Sequence, residues 1–583
     1  MQNLDTVGSA PRPIPLSLIL LGAFVVHGPL LLMKLPLSSY DTNFHIFFAS
    51  HYAQHWFDPW NTKWYAGFSQ TTYPPLPQQW LAVFSHVIGL DMAYMLVQFV
   101  AILLLAVGVY RFSLLWVDKR ASAYAAAASV LLGSEALLVY SAGQLSTTFA
   151  APLYLNALPF LYEWMRYGSK RSLLKGLGLS FAAAAAHHAT LLFGSLLFAV
   201  PVFALAAYDL HRTREGSNGT LMVRTVVGAI LGGVGVALVL LPFWMALLEY
   251  QVTQVPIPHP SRANYILSPE YGLNYFIVPY GAMILAFPFI LWKGATVPRL
   301  RPLLPAFWIT LLLGIGGTTP VAHLLLGRAF EVLTMERFTY WATLLALPFI
   351  GLLAKEMIDK YGRKAAIGLT LAAVLTCAGG IAWNRYRPAD TDNYTVDSTA
   401  AWLNRDGHDK YRYLTLGFGF KIARLAVQTN ASSVDGEWNS GRMLPELTEH
   451  GSGPLTSSKY FGKNGMEALT AILQHADKYG LKWVILRDPY YEPLLVFAGW
   501  RRVDDLDSRT ITVWGRDGVP PAAPVNSPQM PTPWQGLMWG ILPIGSSILA
   551  MLLLLIPDRR TAERRVARPA RVDEDLALGR MVS

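Results

Sequence analysis

The 583-residue chain holds one cysteine, Cys377, inside an apolar segment. A lone thiol excludes an intrachain disulfide framework and a cysteine-based zinc site. Charge is scarce as well: 14% of residues are Asp, Glu, Lys or Arg, against about 25% in a typical soluble domain. No internal repeat or inverted duplication is visible, which argues against a secondary transporter. No small-x-small cleavage site follows the first apolar run. That run, at about 20 residues, exceeds the roughly 7–15 of a signal-peptide core, so it reads as a retained first span. What is abundant is apolar: 53% of residues are hydrophobic and 12% aromatic. A soluble core cannot bury that much, and the class is an integral membrane protein. The net charge of +10 sits in short basic clusters between apolar segments, a topology signal, and nucleic acid is not an expected partner.

Segments near the length that crosses a bilayer fall at 14–34, 92–116, 121–141, 148–165, 222–246, 273–292, 303–320, 338–354, 365–383 and 535–556. The stretch 173–208 is too long for one span and short for two. Basic clusters flank it, with Arg166, Lys170, Arg171 and Lys175 before and Arg212 and Arg214 after. If both face the cytoplasm, the stretch goes out and back, turning near His187 and His188, for a total of about twelve spans with both termini inside. Lys119, Arg120, Lys293, Arg299, Arg301 and the run Lys355 to Lys364 fall on the same side.

The expected fold is therefore mainly α, a polytopic helical membrane protein with a small extracytoplasmic α/β domain before the last span. Its divisions are a cytoplasmic N-terminus (1–13), a transmembrane region (14–384) with a long first outer loop (35–91), and the α/β domain with a proline-rich linker (385–533). A last helix (534–557) and a basic cytoplasmic tail (558–583) follow; the tail reads as an anchor facing anionic lipid. Within the domain, MEALTAILQHADKYG has helical spacing and ends in glycine, LKWVILR reads as a strand, and RRVDDLDSRTITVWGR as two strands around a turn.

The first outer loop is rich in aromatics. HIFFASHYAQHWF has the spacing of a helix lying on the membrane surface, and WNTKWYAGFSQTTYPPLPQQW supplies Trp and Tyr at headgroup depth. Neither reading explains Asp41, a carboxylate at the mouth of the first span, where ionised groups are costly and usually have a use. A long first outer loop with an acidic residue near its start resembles the GT-C glycosyltransferases, polytopic enzymes that use polyprenyl-phosphate-linked donors. The pattern Asp41-x-x-x-His45, the segment AGFSQTTYPPLPQQW and the segment GGTTPVAHLLLGRAFEVLTMERFTYWA (316–342) are similar to bacterial multi-pass membrane proteins labelled "6-pyruvoyl-tetrahydropterin synthase-related". Pterin synthase itself is a small soluble zinc enzyme, and its ligand set has no counterpart here.

The resemblance implies transfer of a sugar from a polyprenyl-phosphate carrier to an extracytoplasmic acceptor, whether protein, lipid or glycan, at a bacterial inner membrane. Phosphate is a good leaving group, so one base suffices and no general acid is required. Asp41 is the candidate base, as the resemblance also implies; its alternative is a structural partner for an arginine or a helix terminus. His45, one helical turn on, orients that carboxylate or packs as an interfacial histidine. Arg337, whose planar fork suits phosphate oxygens, is the candidate clamp, or else pairs with Glu336 beside it. His187, His188 and Glu135 are candidate substrate contacts, each with a structural alternative; Arg262 and Glu270 are weaker ones. No cofactor is assigned. A divalent cation stays open, but Asp41 and His45 alone are too few ligands for a metal site. The competing class is a non-catalytic scaffold or transport component for envelope polysaccharide assembly.

Overall fold

The structure, a computed structural model, describes residues 13–213, 216–249, 259–386, 394–525, 527 and 529–557. Arg214 and the basic tail lie outside the described residues.

Helix α1 (Leu16–Leu32) is followed by a 3-10 turn, then α2 (Thr42–Gln54), α3 (Leu76–Ile88) and α4 (Leu90–Ser113). Among the described residues eight helical runs are long and apolar enough to cross a membrane: Leu90–Ser113, Lys119–Ala142, His188–Thr213, Asn218–Val239, Pro269–Thr296, Glu336–Tyr361, Arg363–Tyr386 and Pro533–Leu555. Leu16–Leu32 and Leu303–Gly314 are shorter apolar helices. Leu145–Tyr167 and Lys170–Ala186 pack between them and complete the bundle. The helical run breaks at His187, which is extended (φ −164°, ψ 99°), where the sequence suggested a turn. Asn218–Val239 leaves most of its Val, Leu and Ile side chains uncovered by protein, as a lipid-facing helix does.

Basic residues gather at one end of the bundle. Arg120 pairs with Asp359 at 2.5 Å, Lys355 with Asp118, Lys293 with Glu356 at 3.0 Å and Arg299 with Asp209 at 2.6 Å. Asp118 also caps its helix, accepting the backbone N–H groups of Arg120 and Ala121.

At the other end sits the α/β domain. Its four strands are β3 (Arg412–Leu416), β4 (Leu481–Leu486), β5 (Arg501–Leu506) and β6 (Ile511–Gly515), after the two-residue strands β1 (Trp60–Asn61) and β2 (Phe68–Ser69) of the first loop. The sheet order is β3-β4-β6-β5, with β3 and β4 parallel and the other neighbours antiparallel. Leu414, Leu416, Val484 and Leu486 face one core, while Tyr413, Trp483 and Ile485 face another, the period-two alternation of strands buried on both sides. The strand LKWVILR, the hairpin RRVDDLDSRTITVWGR and the helix Gly462–Gln474 form where their patterns place them.

The first loop corrects one expectation. Helix α2 forms, but Phe44 to Ala49 are buried without interruption, so it does not lie open on a membrane surface. Trp64 and Tyr65 are 0% and 1% exposed, so they are not headgroup anchors. They join Phe44, Phe47, Phe48 and Phe68 in one apolar cluster with Leu414, Leu416 and Val484 of the α/β domain. Trp64 stacks on Phe47 with ring centroids 3.9 Å apart. The loop is thus half of a shared core. Periodicity reports that a face is buried, not whether lipid or another part of the chain covers it.

Polar contacts fix this docking. Arg424 of the domain grips Asp91, in the first turn of α4, at 2.6 and 3.2 Å, a two-point carboxylate contact. Lys63 donates to the Thr429 carbonyl at 2.6 Å. The last helix returns alongside: Trp56 donates to Gly540 O, Gln79 to Trp539 O and Trp539 to the Tyr52 hydroxyl.

Candidate functional site

The site lies where the bundle meets the α/β domain, and it is built around Asp41. That residue is the N-cap of α2, yet its carboxyl makes no capping bond, and no hydrogen bond or ion pair joins it among the described residues. Its backbone is held instead. Asp41 N donates to Ala142 O at 3.0 Å and Tyr40 N to Ser141 O at 3.3 Å. The turn that accepts them closes on Gly143, at φ +70°. A Cβ there would sit 2.4 Å from Ser39 Oγ and 2.7 Å from Thr42 N. Only glycine allows both that backbone angle and this approach. The carboxyl therefore stands clear of its own helix while the main chain beneath it is clamped.

Asp41 keeps some open surface although protein surrounds it. Burial raises its pKa to about 6, with Arg337 acting downward and Glu336 upward. At pH 7 such a carboxyl is about nine-tenths ionised and a better base than an exposed aspartate.

Arg337 is the second fixed point. Glu336 and Arg337 open the helix Glu336–Tyr361, and Gln144 separates them. Gln144 Nε2 donates to Glu336 Oε1 at 2.6 Å, and Arg337 Nε donates to Gln144 Oε1 at 3.3 Å. Glu336 and Arg337 form no ion pair, so the alternative raised by their adjacency does not occur. Among the described residues no carboxylate pairs with Arg337, and its two terminal nitrogens carry no hydrogen bond. A guanidinium so placed presents its fork to an anion. The positive end of the helix dipole adds to its field.

That field reaches Asp41, His45, Tyr73, His187, His188 and His259. Six residues proposed from sequence, Asp41, His45, His187, His188, Glu336 and Arg337, therefore share one neighbourhood. His45 is buried, and burial followed by Arg337 lowers its pKa to about 3. With the Gln78 amide oriented to satisfy all its neighbours, His45 Nδ1 donates to Gln78 Oε1 at 2.7 Å. Its ring is thus neutral, with Nε2 unprotonated, and it bonds Gln78 rather than the Asp41 carboxyl. His187 pairs with Thr190 at 2.7 Å, and His188 packs on Phe243 with ring centroids 4.7 Å apart.

Glu135 does not join them. It is buried among Tyr340, Tyr140 and Cys377. Arg262 donates to Leu333 O at 3.0 Å, and Glu270 is exposed.

The sequence does not single out four further participants by residue, Gln144, Tyr73, His259 and Glu437, although the segment DGEWNSGRMLPE that holds Glu437 is polar and aromatic enough for sugar contact. His259 bonds Ser261 at 2.8 Å, and Ser261 Oγ accepts the Met335 N–H, which fixes the start of the arginine's helix. Glu437 comes from the α/β domain. Burial, then the charges of Asp41 and Asp435, hold its pKa well above the ordinary range. Among the described residues no three His, Cys, Asp or Glu side chains converge as a metal site.

The fold is that of the GT-C glycosyltransferases. The arabinofuranosyltransferase AftD from Mycobacteria superposes with a TM-score of 0.54 at 16% identity over 86% of this chain, which spans 40% of AftD's length. ArnT from Cupriavidus metallidurans in the apo state gives 0.50 at 12% identity, over 87% of this chain and 99% of ArnT. ArnT bound to undecaprenyl phosphate gives 0.46 at 12%, over 86% and 99%. At these identities the likeness is one of fold. No curated protein matches the chain. The family described as "6-pyruvoyl-tetrahydropterin synthase related domain; membrane protein" matches residues 71–385, a region that leaves out Asp41 and Glu437. That match takes in more than half of the 583 residues, and the chain belongs to this family of membrane proteins.

Proposed function

We propose that the protein is a glycosyltransferase that moves a sugar from a polyprenyl-phosphate carrier to an acceptor hydroxyl on the outer face of a bacterial inner membrane. The observation that carries the reading is Asp41, partly open and, among the described residues, without a side-chain partner, within the field of an arginine that forms no ion pair with any described carboxylate. In the reaction, Asp41 takes the acceptor's proton as its oxygen attacks the anomeric carbon. The bond from that carbon to the phosphate oxygen breaks, and its electron pair leaves with the lipid phosphate. Arg337 stabilises the charge that collects there. Two unlike groups are thus set at the two ends of one displacement.

The clustering of basic residues at the opposite end of the bundle supports placing that end, and both termini, in the cytoplasm. The α/β domain then lies outside, and the carrier's isoprenoid tail stays in the bilayer. The donor is proposed from the sequence resemblance and the site's chemistry.

Purified protein is incubated with polyprenyl-phosphate hexoses and pentoses, and release of polyprenyl phosphate is measured. Asp41→Asn is expected to lower the rate by about 10²–10⁴-fold while leaving carrier binding and the melting transition unchanged. Undiminished turnover in that variant would remove Asp41 from the mechanism. A wild-type protein that binds no polyprenyl phosphate would defeat the proposal.

A further inference from the structure

The α/β domain borders the site through the loop containing Asp435, Gly436, Glu437 and Trp438. This loop lies flat on the first outer loop. Ser433 N donates to Lys63 O at 2.7 Å, Ala66 N to Ser433 O at 3.2 Å, and Trp438 Nε1 to Thr72 Oγ1 at 2.8 Å. A Cβ on Gly436 would stand 2.5 Å from Trp64 Cδ2, so nothing larger fits between loop and indole. Asp435 braces the loop from within, accepting the Thr456 N–H at 3.0 Å.

Three side chains lie along this seam. Trp438 meets Tyr73 edge-to-face at 4.9 Å and lies 5.5 Å from Phe44. Trp438 and Tyr73 each retain open surface. Glu437, next to Trp438, also keeps open surface and has no hydrogen bond or ion pair among the described residues. It lies within the field of Asp41, as does the Tyr73 hydroxyl.

We propose that Glu437, Trp438 and Tyr73 form an acceptor subsite, and that the acceptor it takes is a saccharide. This rests on the glycosyltransferase reading above. A sugar ring presents C–H groups on its faces and hydroxyls around its edge. Partly open aromatic rings cover the first, and an adjacent unpartnered carboxyl bonds the second. A lipid or peptide acceptor needs no such pairing. Direction separates acceptor from donor: a lipid-linked donor reaches Arg337 from the bilayer, while Glu437 is supplied by the domain on the aqueous side. Its carboxyl holds one acceptor hydroxyl and leaves a neighbouring one beside Asp41. Glu437 is in this sense a positioning residue for the attack.

The test uses the full chain in nanodiscs and saturation-transfer NMR. The probes are methyl α-D-mannopyranoside, methyl α-D-glucopyranoside and methyl α-D-arabinofuranoside, with a blocked serine tripeptide as the peptide alternative. At least one glycoside is expected to receive saturation, with affinity reduced about fivefold or more by Glu437→Gln. Trp438→Ala is expected to act in the same direction. Lys463→Ala, on the exposed surface of the domain, serves as a control that leaves binding unchanged. A matched melting transition for Glu437→Gln excludes a folding artefact. The assignment is overturned if no glycoside binds, or if the peptide binds with the same dependence on Glu437. It is also overturned if Glu437→Gln weakens a polyprenyl-phosphate sugar but spares the free glycosides, which would make this the donor's sugar site. Binding of polyprenyl phosphate itself, compared between wild type and Arg337→Ala, tests the donor reading separately.

Discussion

If Asp41 is the base, the charge of Arg337 is written into the pH dependence of transfer. The base must be ionised, so the rate falls as pH drops through the Asp41 pKa of about 6. An ordinary aspartate would place that limb near pH 4, outside the range of most assays. Burial is the larger cause of the rise, and Arg337 opposes it. Replacing Arg337 by Gln keeps a long polar side chain and removes the cation. The carboxylate then loses its stabilising neighbour, and the acidic limb moves upward, by about one pH unit for a charge at this range. At pH 6 the wild type retains about half its plateau rate, and the variant about a tenth of its own. The plateau also falls, by about 10²-fold, because the departing phosphate is no longer stabilised. The assay is turnover of a polyprenyl-phosphate sugar at constant ionic strength between about pH 5 and 8. Only the limb's position reports on Asp41, and only the plateau reports on the leaving group. A limb that stays in place in Arg337→Gln, or one that in the wild type lies near pH 4, would refute the coupling.

Three further outcomes follow from the geometry. Gly143→Ala forces a Cβ against Ser39 and Thr42 at a positive φ, costing about 1–3 kcal/mol; turnover is expected to fall much more than the melting temperature. Gln144→Leu strips the hydrogen bond from buried Glu336 and frees Arg337 to pair with it, lowering stability by about 1–3 kcal/mol and weakening polyprenyl-phosphate binding; calorimetry and a lipid-binding assay measure the two. Arg424→Ala removes a partly exposed two-point contact with Asp91, so it changes stability by no more than about 1 kcal/mol. Hydrogen exchange in the 60–69 segment should nonetheless quicken, because that segment's cover is loosened.

Some of this site was legible from residues alone. Asp41 stands out because a carboxylate follows an apolar run directly, and Arg337 because a cation opens one. Both signals are local violations of membrane composition. Glu437 carries no such signal: DGEWNSGRMLPE is polar and aromatic enough for sugar contact but equally suits a structural cap, and only tertiary folding brings Glu437 within the field of Asp41. Gln144 and Tyr73 are likewise ordinary loop-edge residues whose roles are set by what they touch. Glu135 shows the converse. It violates membrane composition as plainly as Asp41 does, but its surroundings are Tyr340, Tyr140 and Cys377. The aromatic first loop was misread for a physical reason as well, since Trp and Tyr at a lipid interface and Trp and Tyr in a domain core have the same composition.

The most direct measurement is a cryo-EM structure of the chain in nanodiscs with added polyprenyl phosphate. The expected result is an elongated density leaving the bilayer between helices, its phosphate within hydrogen-bonding distance of the Arg337 guanidinium and its end open toward Asp41. A phosphate bound elsewhere, or a continuous water-filled passage through the bundle with no lipid at Arg337, would contradict it.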